Sequence, residues 1–339
     1  SISLLPLALR KELQNQHPAV AIARERNCEI LLLPIAFFSD ETSGNKSKRG
    51  NFHESASVTF LGMNYHRRQL EENSIVLSTS GQISAVEQFD QLGKWTRQLE
   101  AGVLGIDGAN CSEVIIVAPI TTLLGDNPRQ SAFCSHRGTT AQANCRICLR
   151  TNDAHPSILG EPRSREVTHR LLTSASQLVR SSGNVDDGRN FLAPVGLKMG
   201  PNPFLRLRWL DPHRDTPIEL LHTCLLGIAK YCAVELFKVF PPSRSPEYKA
   251  ACEKMRAHIL AIDTSDCPYR LSVVDFIVKR GNLVGREFRV LMQYGLYMFR
   301  PYLLNQGDIS EEAPIDNREI EEETSESLEE SEAEQGTQR

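Results

Sequence analysis

NCEILLLPIAFFSD, residues 27–40, is a continuous apolar run of strand length that stops at Ser39-Asp40, and it reads as a buried central strand. Outward from it, SASVTFLGM (55–63) and NSIVLSTS (73–80) alternate or are β-branched between polar turn residues. They predict two further strands in an antiparallel meander with the first. Residues 83–104 place Val86, Phe89, Leu92, Trp95 and Leu99 at three- and four-residue steps, the pattern of an amphipathic helix. SEVIIVAPITTLLGD (112–126) is then a fourth, β-branched strand with Asp126 just past its end. A hairpin-linked sheet followed by a crossover helix and a strand implies an α/β fold, a mixed sheet with helices packed on it.

At 339 residues the chain has room for two or three domains, or for one core with a large insertion. Its 40% hydrophobic and 24% charged content is that of ordinary globular proteins and names no class. The net charge of -4 divides into -11 over residues 307–339 and +7 over the rest. That leaves the body of the chain leaning toward an anionic partner such as nucleic acid, or simply with a solvated basic surface. No 18 consecutive residues are apolar, so no transmembrane helix and no membrane partner are expected. SISLLPLALRKELQNQ lacks a basic start and a small-residue cleavage site, which argues against a secretory signal, and the missing initial Met points to a fragment or a processed chain. Nine cysteines, scattered except for one tight pair, fit a reduced nuclear or cytoplasmic compartment.

Residues 5–25 can form a helix, and NPRQSAFCSHRG (127–138) reads as a short helix with Pro128 early and Gly138 as its C-terminal cap. Residues 150–205 are polar and rich in Ser, Pro, Gly and Arg, with one helical patch at 165–181. Residues 216–240, 246–263 and 284–304 have helical periodicity. From Gln306 the chain is too acidic and too poor in large apolar side chains to bury a core, and is expected to be a solvating tail or a charge mimic for a basic partner. The organisation expected is an N-terminal helical segment (1–29), a sheet region (30–150), a mostly α-helical region (151–305) and a disordered acidic tail (306–339).

Three groupings of residues can carry chemistry. Asp40 and Asp126 end strands that can lie side by side, and two carboxylates brought that close repel unless they share a cation. Their hard oxygens suit Mg²⁺ or Mn²⁺ in attack on phosphodiesters. The alternative is a capped turn, in which Asp40 and Asn45 bond nearby backbone, and two ordinary strand-end residues. Cys145 and Cys148 in CRIC form a CxxC, half of a tetrahedral Zn²⁺ site that Cys134 and His136 or distant residues would have to complete. Unpaired structural cysteines are the alternative there, and a redox motif fits less well because no strand-to-helix thioredoxin-like unit surrounds the pair. In DPHRDTPIELLHTCLLGIAKY (211–231), Glu219 and His222 fall one helical turn apart. This is a metal arm or, with so many apolar neighbours, a satisfied core histidine.

With SDETSGNKSKRGNFHES, LLGDNPRQSAFCSHRGTTAQANCRICL, DPHRDTPIELLHTCLLGIAKY and LVGREFRVLMQYGLYMF in that order, the chain resembles fungal transposases of the Plavaka type, within the KDZ and CACTA-like transposons of basidiomycetes. The match covers roughly residues 30–300, and the four strings together are far more specific than any one. The resemblance implies an RNase H-like core in which a DDE triad binds two divalent metals, Mg²⁺ or Mn²⁺, and drives hydrolysis and strand transfer. Asp40 would be the first D and Asp126 the second. Cys145 and Cys148 would hold a structural zinc with two histidines much further along. The partner implied is DNA at transposon ends, with Lys46, Lys48 and Arg49 as phosphate contacts, self-association allowed and a nuclear setting.

The chain also departs from that pattern. After 283–303 it has neither the family's histidine pair nor the TExFE-like helix that carries the third acidic residue, and Gly50 replaces the family's tryptophan. Little or no transposition activity is therefore expected. A host-recruited, non-catalytic DNA- or protein-binding module is the alternative. A generic nuclease would need Glu41, Asp107 or Glu219 as the third carboxylate.

Overall fold

Proline has no N–H to give to a ladder, and Pro34 and Pro119 lie at one level of the sheet, between the partners Leu32↔Val117 and Ile35↔Ile120. In this computed structural model, which describes residues 17–43, 52–155, 160–238, 245–262 and 283–303, they divide the strands into two small mixed sheets. Residues 5–16 of the helix expected over 5–25, Lys46, Lys48, Arg49 and the acidic tail lie outside the described residues.

The run that opens the sequence becomes β1 (Glu29–Leu32) and β2 (Ile35–Ser43), so the strand continues through Asp40 instead of ending there. β3 (Phe52–Phe60) and β4 (Ser74–Ser80) follow as the meander, and the fourth expected strand splits at Pro119 into β6 (Glu113–Val117) and β7 (Ile120–Leu124). β5 (Val103–Ile106) is an addition to the expected set. It pairs antiparallel with β6, and the first sheet runs β1-β6-β5 with β1 and β6 parallel. The second runs β4-β3-β2-β7, antiparallel except for the parallel pair β2 and β7. Hydrogen bonds bridge the proline level: Leu33 N–H donates to Val117 O and Ile35 N–H to Pro119 O, both at 2.9 Å.

Local chemistry sets the helices. α1 (Pro18–Arg26) opens with a proline in its first turn and closes on Asn27 in the left-handed region, φ 50°. α2 (Ala85–Ala101), the crossover, starts at a capping box in which Ser84 and Glu87 satisfy each other's backbone N–H. Its buried face is Ala85, Gln88, Phe89, Gly93, Thr96 and Glu100, so Trp95, expected on the apolar stripe, is 66% exposed one step off it. α3 (Asn127–Phe133) is capped by Asp126 and ends at Cys134, before the expected Gly138. α4 (Arg165–Ser182) starts at the Ser164 cap and ends at left-handed Gly183, and α5 (Val185–Leu192) packs beside it around Leu172, Ala175, Leu192, Leu197 and Leu205.

The chain gathers into two compact units, residues 1–228 and 229–339. In the second unit, α6 (Lys230–Phe237), α7 (Pro246–Ala261) and α8 (Gly285–Leu303) bury Phe237, Met255, Ile259, Phe288 and Phe299, with Phe237 edge-on to Phe299 at 5.4 Å. Leu220–Phe237 is long and apolar enough, by length and composition alone, to cross a membrane, and 17% of it is buried, whereas the sequence reading expected no such helix.

The core of the first unit is a ring cluster. Phe37 of β2 meets Phe89 of α2 edge-on at 5.0 Å, and Phe204, from the 3₁₀ turn Pro203–Arg206, stacks on Phe89 at 4.1 Å and contacts Phe133 of α3 at 4.9 Å. Phe204 thus ties a connection far along the chain to the sheet. Phe204→Ala should cost about 3–5 kcal/mol, read as a fall in the denaturant midpoint of the first unit, with little change from the same substitution at exposed Phe191.

Candidate functional site

Side chains alternate along a strand, so Asp40 shares a face of β2 with Phe38 and turns away from buried Phe37. Its partner across β3 is Ser55, whose hydroxyl donates to Asp40 O at 3.0 Å, and its own Oδ1 accepts the Glu41 N–H at 2.9 Å. β7 runs parallel to β2 with Leu124 beside Phe38, so the chain leaves β7 at the end where Asp40 sits. At the corner, a Cβ on Gly125 would lie 2.9 Å from Ser39 O, which excludes any other residue without a backbone shift. Asp126 then caps α3, its Oδ1 accepting the Arg129 N–H at 2.8 Å. A helix-capping role, which the sequence reading did not assign to Asp126, and a position in the same cavity as Asp40 thus coincide in one residue.

A cavity of about 310 Å³ is lined by Phe38, Asp40, Asp126, Gln130, Glu219 and His222. The structure therefore brings the two sequence-predicted aspartates together and adds the Glu219–His222 pair to them. The reading of His222 as a buried core histidine is corrected: its side chain is 49% exposed and Leu220 65%. Residues 220–229 form a π-helix, whose longer turn rotates the apolar positions off the face that a 3.6-residue period predicts. The Glu219 carboxylate caps it, accepting the N–H of Leu221 at 2.6 Å and of His222 at 2.5 Å, and also meets His222 Nδ1 at 2.9 Å. Glu41 is one residue along β2 and so faces the other side, while Asp107 caps its own turn by accepting the Ala109 N–H. Among the described residues no three His, Cys, Asp or Glu are placed to hold one metal ion.

Arginines that the sequence did not single out lock this corner. Arg146, inside the CxxC, donates to Asn127 Oδ1 at 2.6 Å and to Gln130 Oε1, and Gln130 in turn donates to Pro217 O at 2.7 Å. Arg129 pairs with largely buried Glu54 of β3 at 2.6 Å, which fixes α3 to the sheet. Asp215 O accepts the Leu123 N–H at 2.9 Å, so the 211–217 segment covers the edge that β7 would otherwise expose.

The CxxC is a tight loop. Buried Arg163 donates to the carbonyls of Cys145 at 2.9 Å and Cys148 at 3.1 Å. Burial raises the Cys148 thiol, but the N–H groups of Arg150 and Gly160, the Cys145 side chain and the Arg163 charge outweigh it and bring the thiol below its ordinary value. Gly160 is needed for this approach, since a Cβ there would collide with the Arg150 backbone nitrogen. Burial pushes Cys134 the other way, to about 12, with its Sγ on Pro212 O at 3.2 Å. His136, a candidate zinc ligand, has both ring nitrogens engaged: Nδ1 accepts the Gly138 N–H at 3.0 Å and Nε2 donates to Ala143 O at 2.8 Å. His213 is likewise satisfied, by Arg146 O and the Thr168 hydroxyl, both at 2.7 Å. Were Cys145 and Cys148 to bind zinc, they would supply two of the four ligands a structural site uses.

Compared with models of known protein families and with curated protein sequences, the chain matches none.

Cys148 should alkylate with iodoacetamide at neutral pH at least about a hundredfold faster than Cys134, by peptide mass spectrometry, because its thiolate fraction and access are both greater. Burial, the largest influence, lowers His136 to about 4 and lowers His213 as well. Both are neutral in the folded chain and would bind protons in the unfolded one below about pH 6.5. Stability should therefore be full above pH 6.5 and decline as pH falls toward 4, measured as a falling denaturant midpoint that flattens in His136→Asn.

Proposed function

We propose that the chain derives from the RNase H-like core of a Plavaka-type DDE transposase and that the Asp40–Asp126 cavity holds a divalent cation against the phosphates of DNA. One observation carries this reading. In the order β4-β3-β2-β7, three strands are antiparallel, the fourth lies parallel beside the first, and the two adjacent strands deliver their carboxylates to one cavity. The resemblance implies that Asp40 and Asp126 act together, and described residues of three of the four strings that carry it lie on β2, β3, β7, α3 and the 211–222 segment that lines the cavity, while LVGREFRVLMQYGLYMF belongs to α8 of the second unit.

The donor set fits a hard cation that keeps most of its waters. Mg²⁺ is commonly held by one or two carboxylates together with substrate phosphates, and Asp40 and Asp126 each spend one acceptor position on a backbone N–H. In-line displacement by two metals needs further ligands to fix both ions. These 339 residues are therefore proposed to bind cation and DNA with slow or no strand cleavage. The Cys145–Cys148 loop contributes a thiol pair near the same corner, able to serve as half of a structural zinc site.

Mn²⁺ titration followed by electron paramagnetic resonance tests the reading. Asp40→Asn combined with Asp126→Asn should weaken Mn²⁺ binding by more than about tenfold, equivalent to ~1.4 kcal/mol. Unchanged Mn²⁺ binding in the double variant overturns the cation site. Rapid Mg²⁺-dependent nicking of supercoiled plasmid, abolished by the same substitutions, keeps the site and overturns the expectation of slow cleavage.

A further inference from the structure

A second cleft, away from the aspartates, runs between α4 and the 199–206 segment and encloses about 490 Å³. One face of α4 forms its wall, since His169, Thr173, Ser176, Gln177 and Arg180 recur at helical spacing. Arg206 faces them from the other side, above a floor of Leu172, Leu205 and Met199. Among the described residues no Asp or Glu lines the cleft. At the exposed rim Arg206 makes a long ion pair with Asp90, 4.0 Å apart, of the kind that water largely screens.

Hydrogen-bond accounting separates the groups that are committed from those that are free to bind. The Thr173 and Ser176 hydroxyls donate to their own helix, to His169 O and Leu172 O at 2.8 Å, and the Asn202 amide donates to Phe133 O and Ser135 Oγ. The side chains of His169, Gln177 and Arg180 make no hydrogen bond or ion pair among the described residues, which leaves them and Arg206 as the donors. Arg180, with no ion pair among the described residues, and Arg206, held only by a long exposed ion pair to Asp90, sit around a cleft without acids, which favours an anion. Their spread says which kind. Residues 169 and 180 are eleven positions apart, about 16 Å along an α-helix. That is too far for one phosphate group, and it is roughly the rise of four to five nucleotides at 3.4 Å per step.

We infer that this cleft binds the phosphate backbone of a nucleic acid, with Arg180 and Arg206 as its principal contacts. The inference rests on the DNA-handling reading above but not on the Asp40–Asp126 cavity. Removing one cation from a phosphate reduces the slope of log affinity against log salt by about 0.9.

Fluorescence anisotropy with a labelled 25-base-pair duplex, from 50 to 200 mM KCl, tests it on the full chain. Arg180→Ala with Arg206→Ala should weaken binding at least about tenfold and reduce the slope by about 2. The charge-matched control, Arg24→Ala with Arg189→Ala on other surfaces, should change the slope far less, and thermal melting checks that both variants fold. Equal losses in the two variants, or none in either, overturn the inference and leave the cation reading standing. Wild-type chain that holds Mn²⁺ but no duplex, or a cleft that takes inorganic phosphate without binding duplex, overturns it as well. Loss of Mn²⁺ binding with intact duplex binding separates the two failures in the other direction.

Discussion

Parallel pairing between residues 29–38 and 113–124 is the constraint on which the rest of the first unit hangs. Two parallel strands cannot be joined by a hairpin, so the chain must cross over, and α2 is the crossover. Parallel strands also end at the same edge of a sheet, which is why Asp40 and Asp126 reach one cavity without a contact between their own side chains to draw them there. The prolines test this arrangement. A proline in one central strand would remove one ladder bond and leave the partner's carbonyl unsatisfied. With Pro34 and Pro119 at the same level, the flanking N–H groups of Leu33 and Ile35 still find Val117 O and Pro119 O, and pairing resumes beyond at Ile35↔Ile120.

Buried arginines do the second part of the positioning. The 143–148 loop lies outside the strands and helices, and Arg163 donates to the carbonyls of Cys145 and Cys148 and joins His136 on that of Ala143. Burial is the main influence lowering the arginine's own value, and the thiols of Cys145, Cys134 and Cys148 oppose it. Arg146 then fastens the same loop to Asn127 and Gln130, the first turn of the helix that Asp126 caps. The thiol pair and the carboxylate pair are thus one mechanical assembly, although they suit different metals.

Much of this was legible in the sequence, and the misses have physical causes. β3, β4, α2, α3 and α4 follow from alternation, β-branching, 3.6-residue steps and caps, all of which are local. Asp40 was expected at a strand end because apolar residues stop there, but β2 continues to Ser43 because its pairing with β3 continues, and pairing is not a property of one segment. β5 escaped notice because GVLGID is short and carries glycine, and only its hairpin partner β6 makes it a strand. His222 was misplaced because helical periodicity assumes an α-helix, and an i→i+5 helix puts the same letters on different faces. The roles of Arg146 and Arg163 depend on carbonyls that are close only in the folded chain.

Acceptor capacity separates the three carboxylates that line the cavity. An ionised carboxylate offers about four lone-pair positions. Asp40 and Asp126 each have one backbone N–H on Oδ1, leaving the other oxygen and a share of the first for a cation or its waters. Glu219 receives the Leu221 N–H on one oxygen and both the His222 N–H and ring on the other. Drawing Glu219 onto a metal would uncap the π-helix that begins at Leu220, releasing N–H groups that have no other partner at a helix start. Glu219 is therefore held by the backbone beside it, and of the three carboxylates Asp40 and Asp126 keep the larger share of free acceptor positions.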